Sequence, residues 1–223
     1  MSNPVLIIVG AGPGVGAATA RRFAAAGYDI GLLARNPKRL EAFADELSKD
    51  GANVGWAAVD IADPVALSDT LGRMVAKTAR VDVLLHNAVA FREARATELT
   101  AEQLLADLGV GTASLLTAVQ AVLPVLREQH TGTIIATGSG AADRPTVSAA
   151  SLGVQKAALR NLIQVLAAEL SGEGIHVATV TIRGVIAAGT AFAPEAIADI
   201  FAELVDETST DPAGWRTLVE LTK

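Results

Sequence analysis

Gly10-Ala-Gly-Pro-Gly14-Val-Gly16 follows the apolar run Val5–Val9 and precedes the alanine-rich stretch Ala17–Ala26. Glycines there permit a tight turn and let backbone N–H groups approach a pyrophosphate, with the helix start adding partial positive charge. Gly10, Gly12, Pro13, Gly14, Val15 and Gly16 are therefore candidate dinucleotide contacts. The alternative is a strand–helix turn without a ligand. Ser139 follows the apolar run Gly132–Thr137, and the carboxyl ends of such strands are where functional side chains gather. It could equally bond the backbone locally. Lys156, one of five lysines, stands among Val154, Ala157, Ala158 and Leu159. It is either a positioned site cation or a snorkelling lysine on an apolar face.

Charge at the end of the second apolar run bears on cofactor choice. An acidic residue there would suit the ribose hydroxyl of NAD. The chain has Leu33-Ala34-Arg35-Asn36 instead, so Ala34 leaves room for a 2′-phosphate and Arg35 can pair with it. NADP(H) is preferred and NAD(H) remains possible. A solvated arginine at a helix start is the alternative. Other chemistries lack their residues. There is no cysteine, no His/Asp/Glu cluster at ligand spacing and no Gly-x-Ser-x-Gly elbow. His130 and His176 read as structural.

Alternating elements must position these groups. Strands are expected at Val5–Val9, Ile30–Ala34, Val54–Val59, Val81–His86, Gly132–Thr137 and Ile175–Ile182, with an edge strand at Thr217–Leu221. Asn36-Pro37 and Asp63-Pro64 are helix starts with proline at the first helical position. Thr100-Ala-Glu-Gln103 reads as a capping box opening a helix to Gln129, kinked late by Pro124. Further helices are expected at Val147–Leu170 and Pro194–Leu204. This alternation implies one α/β domain over residues 1–223, a doubly wound parallel sheet of six to seven strands covered on both faces.

The glycine spacing, Gly-x-x-x-Gly-x-Gly, resembles the first βα turn of the short-chain dehydrogenase/reductase family. Other landmarks extend the resemblance over nearly the whole chain. Val59-Asp60-Ile61 is similar to the family's adenine-holding aspartate, with a plain turn carboxylate as the alternative. Leu84-Leu-His-Asn-Ala-Val89 resembles the family's Asn-Asn-Ala-Gly segment, with His86 and Val89 as departures. Gly132–Ser139 resembles the strand ending at the active-site serine. Ile175–Gly184 resembles the sixth strand and its Pro-Gly, here Arg183-Gly184. The resemblance implies a Rossmann-type fold and hydride transfer between a nicotinamide and a carbonyl or alcohol. It assigns Ser139 and Lys156 to catalysis and Asp60, Ile61, Asn87, Ala88, Lys156 and Gly184 to the cofactor.

Two family residues are missing. The tyrosine four residues before the lysine is Leu152, and the chain's one tyrosine, Tyr28, lies far along the sequence. Counting back from Gln120 and Pro124, the helix asparagine is Gly111. Two readings follow: an oxidoreductase with another proton donor, or a silent dinucleotide binder acting as sensor, scaffold or partner subunit. Donor candidates are Ser139, Ser151, Thr146, His86, Asp143, Lys156 or a water. Arg183 is either a substrate-carboxylate or pyrophosphate contact, or an ion pair with Asp143 or Glu195. Phe192 and Phe201 are core or pocket wall.

Composition sets outer limits. The 223 residues are 51% apolar and 19% charged, with net charge −6 and alanine near a fifth. A packed core is affordable, and a basic nucleic-acid face is not expected. Residues 1–20 lack a basic start and are broken by glycine, unlike a signal peptide. Gly109–Leu126 is uncharged but carries polar residues and Pro124, so it is expected as a buried or interface helix rather than a membrane span. A cytoplasmic protein is expected, with a small-molecule substrate, no nucleic-acid partner and no membrane. By family resemblance, the helices 101–129 and 147–170 are expected to build a homodimer or homotetramer.

Overall fold

A computed structural model describes residues 3–223. Seven parallel strands form one sheet in the order β3-β2-β1-β4-β5-β6-β7. They are β1 (Val5–Val9), β2 (Asp29–Ala34), β3 (Val54–Ala58), β4 (Val83–His86), β5 (Gly132–Ser139), β6 (Ile175–Ile182) and β7 (Leu218–Leu221). From β1 the chain winds one way to β3, then crosses to β4 and winds the other way. The crevice at this switch lies beyond the carboxyl ends of β1 and β4. There Val9 pairs with Leu33 on one side and His86 on the other.

Every β1 residue is buried, as befits a central parallel strand covered on both faces. Its side chains alternate: Val5, Ile7 and Val9 enter one apolar layer, and Leu6 and Ile8 the other. Helices α3 (Pro64–Thr78), α5 (Ser114–Gln129) and α6 (Ala150–Leu170) close the first layer. Helices α1 (Val15–Ala24), α2 (Pro37–Lys49) and α7 (Pro194–Glu207) close the second. Each large aliphatic side chain fully buried there contributes about 1.5–3 kcal/mol relative to exposure.

The expected helix starts are present. Asn36 accepts the Arg39 N–H at 3.1 Å, and Asp63 accepts those of Val65 and Ala66 at 3.0 Å each. Thr100 and Gln103 form the reciprocal capping box of α4 (Ala101–Leu108). Three expectations need correction. The long helix reaches Gln129 as expected but is not continuous from Ala101. The interruption is a π turn, Gly109–Ala113, where Ser114 Oγ donates to the Val110 carbonyl at 2.7 Å. β4 starts at Val83 rather than Val81, because the Gln129 amide takes both backbone groups of Val81. Helix α6 starts at Ala150 rather than Val147. Ala149 is drawn into a bridge with Ala94, and the Ala150 N–H donates to the Ala94 carbonyl at 3.1 Å.

The span Ala101–Gln129 is long and apolar enough to cross a membrane by length and composition alone. It instead places Leu115, Ala118, Val119, Val122 and Leu126 in the first core layer.

Candidate functional site

Two cavities adjoin along the switch crevice, both bordered by Asn87 and Val89. The first, about 290 Å³, lies against Gly10, Gly12, Ala34, Arg35, Asp60, Ile61 and Ala88. The second, about 370 Å³, lies against Gly14, Val15, Ser139, Leu152, Lys156 and Gly184. The candidate cofactor residues, with Ser139 and Lys156, thus border one cleft, apart from Pro13, which is exposed and borders neither cavity, and Gly16.

The glycine loop divides its work. Gly10 has φ +94°, and a Cβ there would lie 2.8 Å from the Ala88 nitrogen. That close approach fits the loop to the β4 end. A Cβ on Gly16 would lie 3.0 Å from the Gly10 carbonyl oxygen, so Gly16 is a packing residue. Gly12 and Gly14 face open space with nothing within 4 Å. Helix α1 begins after Gly14 with no side-chain cap; the Ala17 and Ala18 N–H groups donate to the Gly12 and Gly14 carbonyls, which leaves those of Val15 and Gly16 to whatever occupies that space. An anionic pyrophosphate fits this cradle.

Arg35 is exposed at the first cavity and joins none of the ion pairs among the described residues. Asp60 gives one carboxylate oxygen to the Ala62 N–H at 3.1 Å, so it is a turn residue that also borders the cavity. Asn87 fastens the loop to the sheet: its Nδ2 donates to the Gly10 carbonyl at 3.0 Å, and its Oδ1 accepts from Thr137 Oγ1 at 2.8 Å.

Lys156 is 5% exposed, and its Nζ donates to the Thr137 carbonyl at 2.7 Å. Burial pushes its pKa down to about 8. Leu152 precedes it by one turn of α6 and borders the same cavity. Ser139 Oγ accepts the Ala141 N–H at 3.2 Å. Thr137 sits two residues before Ser139, on the same face of β5. Sequence reasoning missed Thr137, although strand alternation from Ser139 could have found it.

Gln155 was also missed, and it explains Gly111. A Cβ on Gly111 would lie 2.2 Å from Gln155 Oε1. The Gln155 amide accepts the Ala90 N–H at 3.1 Å and donates to the Ala90 carbonyl at 2.9 Å. It thereby ties α6 to the segment bordering both cavities. Farther along, Arg92 and the buried Asp107 pair at 2.9 Å through two bonds. That pairing holds the Asp107 carboxyl below its usual range.

His86 borders neither cavity. It is fully buried, and its pKa is pushed down to about 3, first by burial and then by the Lys156 charge. Its Nε2 lies 2.7 Å from Ser114 Oγ. Since Ser114 donates its one proton to Val110, His86 carries its proton on Nε2. Ser151 is buried and outside the cleft. Asp143 pairs with Arg160 at 2.6 Å and Arg183 at 3.0 Å, and its carboxyl is held low, chiefly by Arg160. Arg183 also pairs with Glu220, not Glu195, so the ion-pair reading of Arg183 is the one found.

Phe192 and Phe201 belong to the second core layer. Gly184 leaves room for the Phe192 ring, which a Cβ would meet at 2.2 Å. His176 is buried, with its ring nitrogens 3.0 Å and 3.1 Å from the carbonyls of Leu204 and Arg216. His130 ends α5 in a left-handed conformation. No group of three or more potential metal ligands occurs among the described residues.

The family profile described as short chain dehydrogenase matches residues 4–196. The chain belongs to that family. It is 28% identical over 181 residues to an uncharacterized oxidoreductase of Staphylococcus epidermidis, covering 81% of this chain and 77% of the relative. It is 27% identical over 176 residues to 2,3-dihydro-2,3-dihydroxybenzoate dehydrogenase of Bacillus subtilis, covering 79% and 67%. A metagenomic short-chain oxidoreductase solved in complex with NADP superposes with a TM-score of 0.88 at 25% identity, covering 100% of this chain and 98% of the other. As a member of this short-chain family, the protein is an oxidoreductase of the nicotinamide-dependent type.

Proposed function

We propose that this short-chain dehydrogenase moves a hydride between NADP(H) and a small, uncharged carbonyl or alcohol. The observation that carries the reading is the joined cleft: an open glycine cradle on one side, and Ser139 with buried Lys156 on the other. In this reading the Gly12–Gly14 backbone and the start of α1 hold the pyrophosphate. Arg35 pairs with a 2′-phosphate, for which Ala34 leaves room. Asp60 and Ile61 border the adenine, and Asn87 and Ala88 form the wall between the two halves. Lys156 holds the nicotinamide ribose, and Ser139 donates a hydrogen bond to the substrate oxygen. When bound, the cofactor supplies or accepts the hydride.

Val89, Phe91, Leu152, Ile182 and Ile186 make the second cavity chiefly apolar. Arg183, between the lining residues Ile182 and Gly184 in sequence, does not border the cavity and is occupied by Asp143 and Glu220. A compact substrate without a carboxylate suits that surface.

Leu152 in the second cavity also favours a second reading, a dinucleotide binder without turnover. Incubation with NADPH and a panel of small aldehydes and ketones separates the two. The first reading expects enzyme-dependent loss of the reduced-nicotinamide absorbance. Binding of NADPH, seen as a raised melting temperature, with no turnover on any carbonyl would establish the second.

A further inference from the structure

The missing phenol leaves an identifiable substitute. Leu152 and Lys156 lie one helical turn apart and border the same cavity, so the position just before the lysine offers only carbon. The polar side chains bordering that cavity are Asn87, Thr137, Ser139 and Lys156. Asn87 is engaged at both ends of its amide, and Thr137 gives its proton to Asn87. Ser139 keeps its proton, but an aliphatic hydroxyl is a poor acid at neutral pH. Lys156 spends one N–H on the Thr137 carbonyl, and an ammonium has three.

We propose that the Lys156 ammonium is itself the acid that protonates the carbonyl oxygen during reduction. This rests on the oxidoreductase reading above. The carbonyl carbon gains a C–H bond from the hydride of a reduced nicotinamide dinucleotide. The carbonyl π pair takes a proton from Lys156 to form the O–H bond. The substrate is reduced by two electrons and the dinucleotide oxidised by two. Lys156 is left as a neutral amine, which regains its proton from solvent. Ser139 positions the oxygen through its hydrogen bond.

The surroundings suit a lysine that gives up its proton. Burial brings its pKa to about 8, close to working pH, where general acids are effective. The ionisable neighbours do not compete. His86 on β4 is neutral. Arg160, one turn farther along α6, is paired with Asp143, which also holds Arg183. Among the described residues, no carboxylate anchors the Lys156 charge.

The test combines three measurements on wild type and K156R: NADPH affinity by fluorescence, the pH profile of carbonyl reduction, and the titration of the Lys156 side chain by NMR in cofactor-free protein. The wild-type rate is expected to decline above about pH 8, matching an NMR midpoint that K156R removes. K156R keeps the positive charge but cannot release a proton. Measured at saturating NADPH, so that any weakening of the ribose contact is overcome, it is expected to lose about 10²- to 10⁴-fold in kcat, together with the limb. An unchanged kcat and limb in K156R, or a Lys156 titration above pH 10, would overturn the proposal and leave the oxidoreductase intact. Wild-type protein that binds NADPH and reduces no carbonyl would overturn the oxidoreductase reading, and the proposal with it.

Discussion

Gly111 and Gln155 form a pair in which one residue's emptiness is the other's space, and Gly111→Ala tests this. The added Cβ would meet Gln155 Oε1, Cδ and Cγ at 2.2, 2.8 and 2.9 Å, where real contacts begin above 3 Å. The Gln155 amide must move, and it is fully buried, so displaced groups cannot turn to water. It stands to lose its bonds to Ala90 N–H, Ala90 C=O and the Ser151 carbonyl. Each unsatisfied buried group costs about 1–3 kcal/mol. Replacing glycine inside a helix returns up to about 1 kcal/mol. A net loss of about 1–5 kcal/mol is expected for losing two such bonds once the returned ~1 kcal/mol is subtracted. Gln155→Ala removes the same bonds and leaves a small cavity, for a similar loss. In the double variant the added methyl enters vacated space, so the losses should not add. A coupling of about 1–3 kcal/mol is expected. Urea unfolding reads this as midpoint shifts at constant slope. Additivity within about 0.5 kcal/mol would show that Gln155 does not occupy the Gly111 space.

Arg35→Ala should weaken NADPH binding about 10- to 100-fold, the value of a hydrogen bond to a charged group, and leave NADH affinity unchanged in calorimetry. Equal losses for both cofactors would remove Arg35 from the 2′-phosphate. His86 is neutral in the fold and protonates near 3 instead of 6.5. The unfolded chain therefore binds the extra proton first, and stability falls by about 1.4 kcal/mol per unit as pH drops between those values. Subtracting the acid-unfolding curve of His86→Gln should isolate that slope, and nitrogen NMR should find the wild-type proton on Nε2. A flat difference curve would contradict the buried neutral state. Leu105, Leu116, Val154 and Val165 are exposed on α4, α5 and α6. We propose that these helices pair two copies of the chain, so sedimentation at micromolar concentration should give at least a dimer mass; a single-chain mass would refute the pairing.

The parts of this molecule legible in the sequence are those encoded locally. Val5–Val9 announces a central strand because both faces of a parallel sheet need apolar cover. Asn36-Pro37, Asp63-Pro64 and Thr100–Gln103 announce helix starts because the cap lies within three residues of its partner. The glycine loop is legible for the same reason. What escaped notice is tertiary. Gln155 reaches Ala90 across 65 residues, and nothing local distinguishes it from a surface glutamine. The π turn at Gly109–Ala113 was hidden behind Pro124, a stronger local signal that the fold tolerates. Thr137 joins Asn87 and Lys156 through contacts 50 and 19 residues apart. Arg183 could not be assigned between ligand and ion pair until β7 brought Glu220 beside it.

The central claim is hydride transfer in this cleft, and isotope transfer tests it most directly. The protein is incubated with NADPH carrying deuterium at one face of C4 and a small apolar aldehyde or ketone, and the alcohol is examined by mass spectrometry. In the proposed reading the nicotinamide binds in one orientation, so one of the two labelled epimers should pass a single deuterium to the carbinol carbon while the other passes none. An alcohol free of deuterium from both epimers, or no alcohol despite saturating NADPH, would contradict the account.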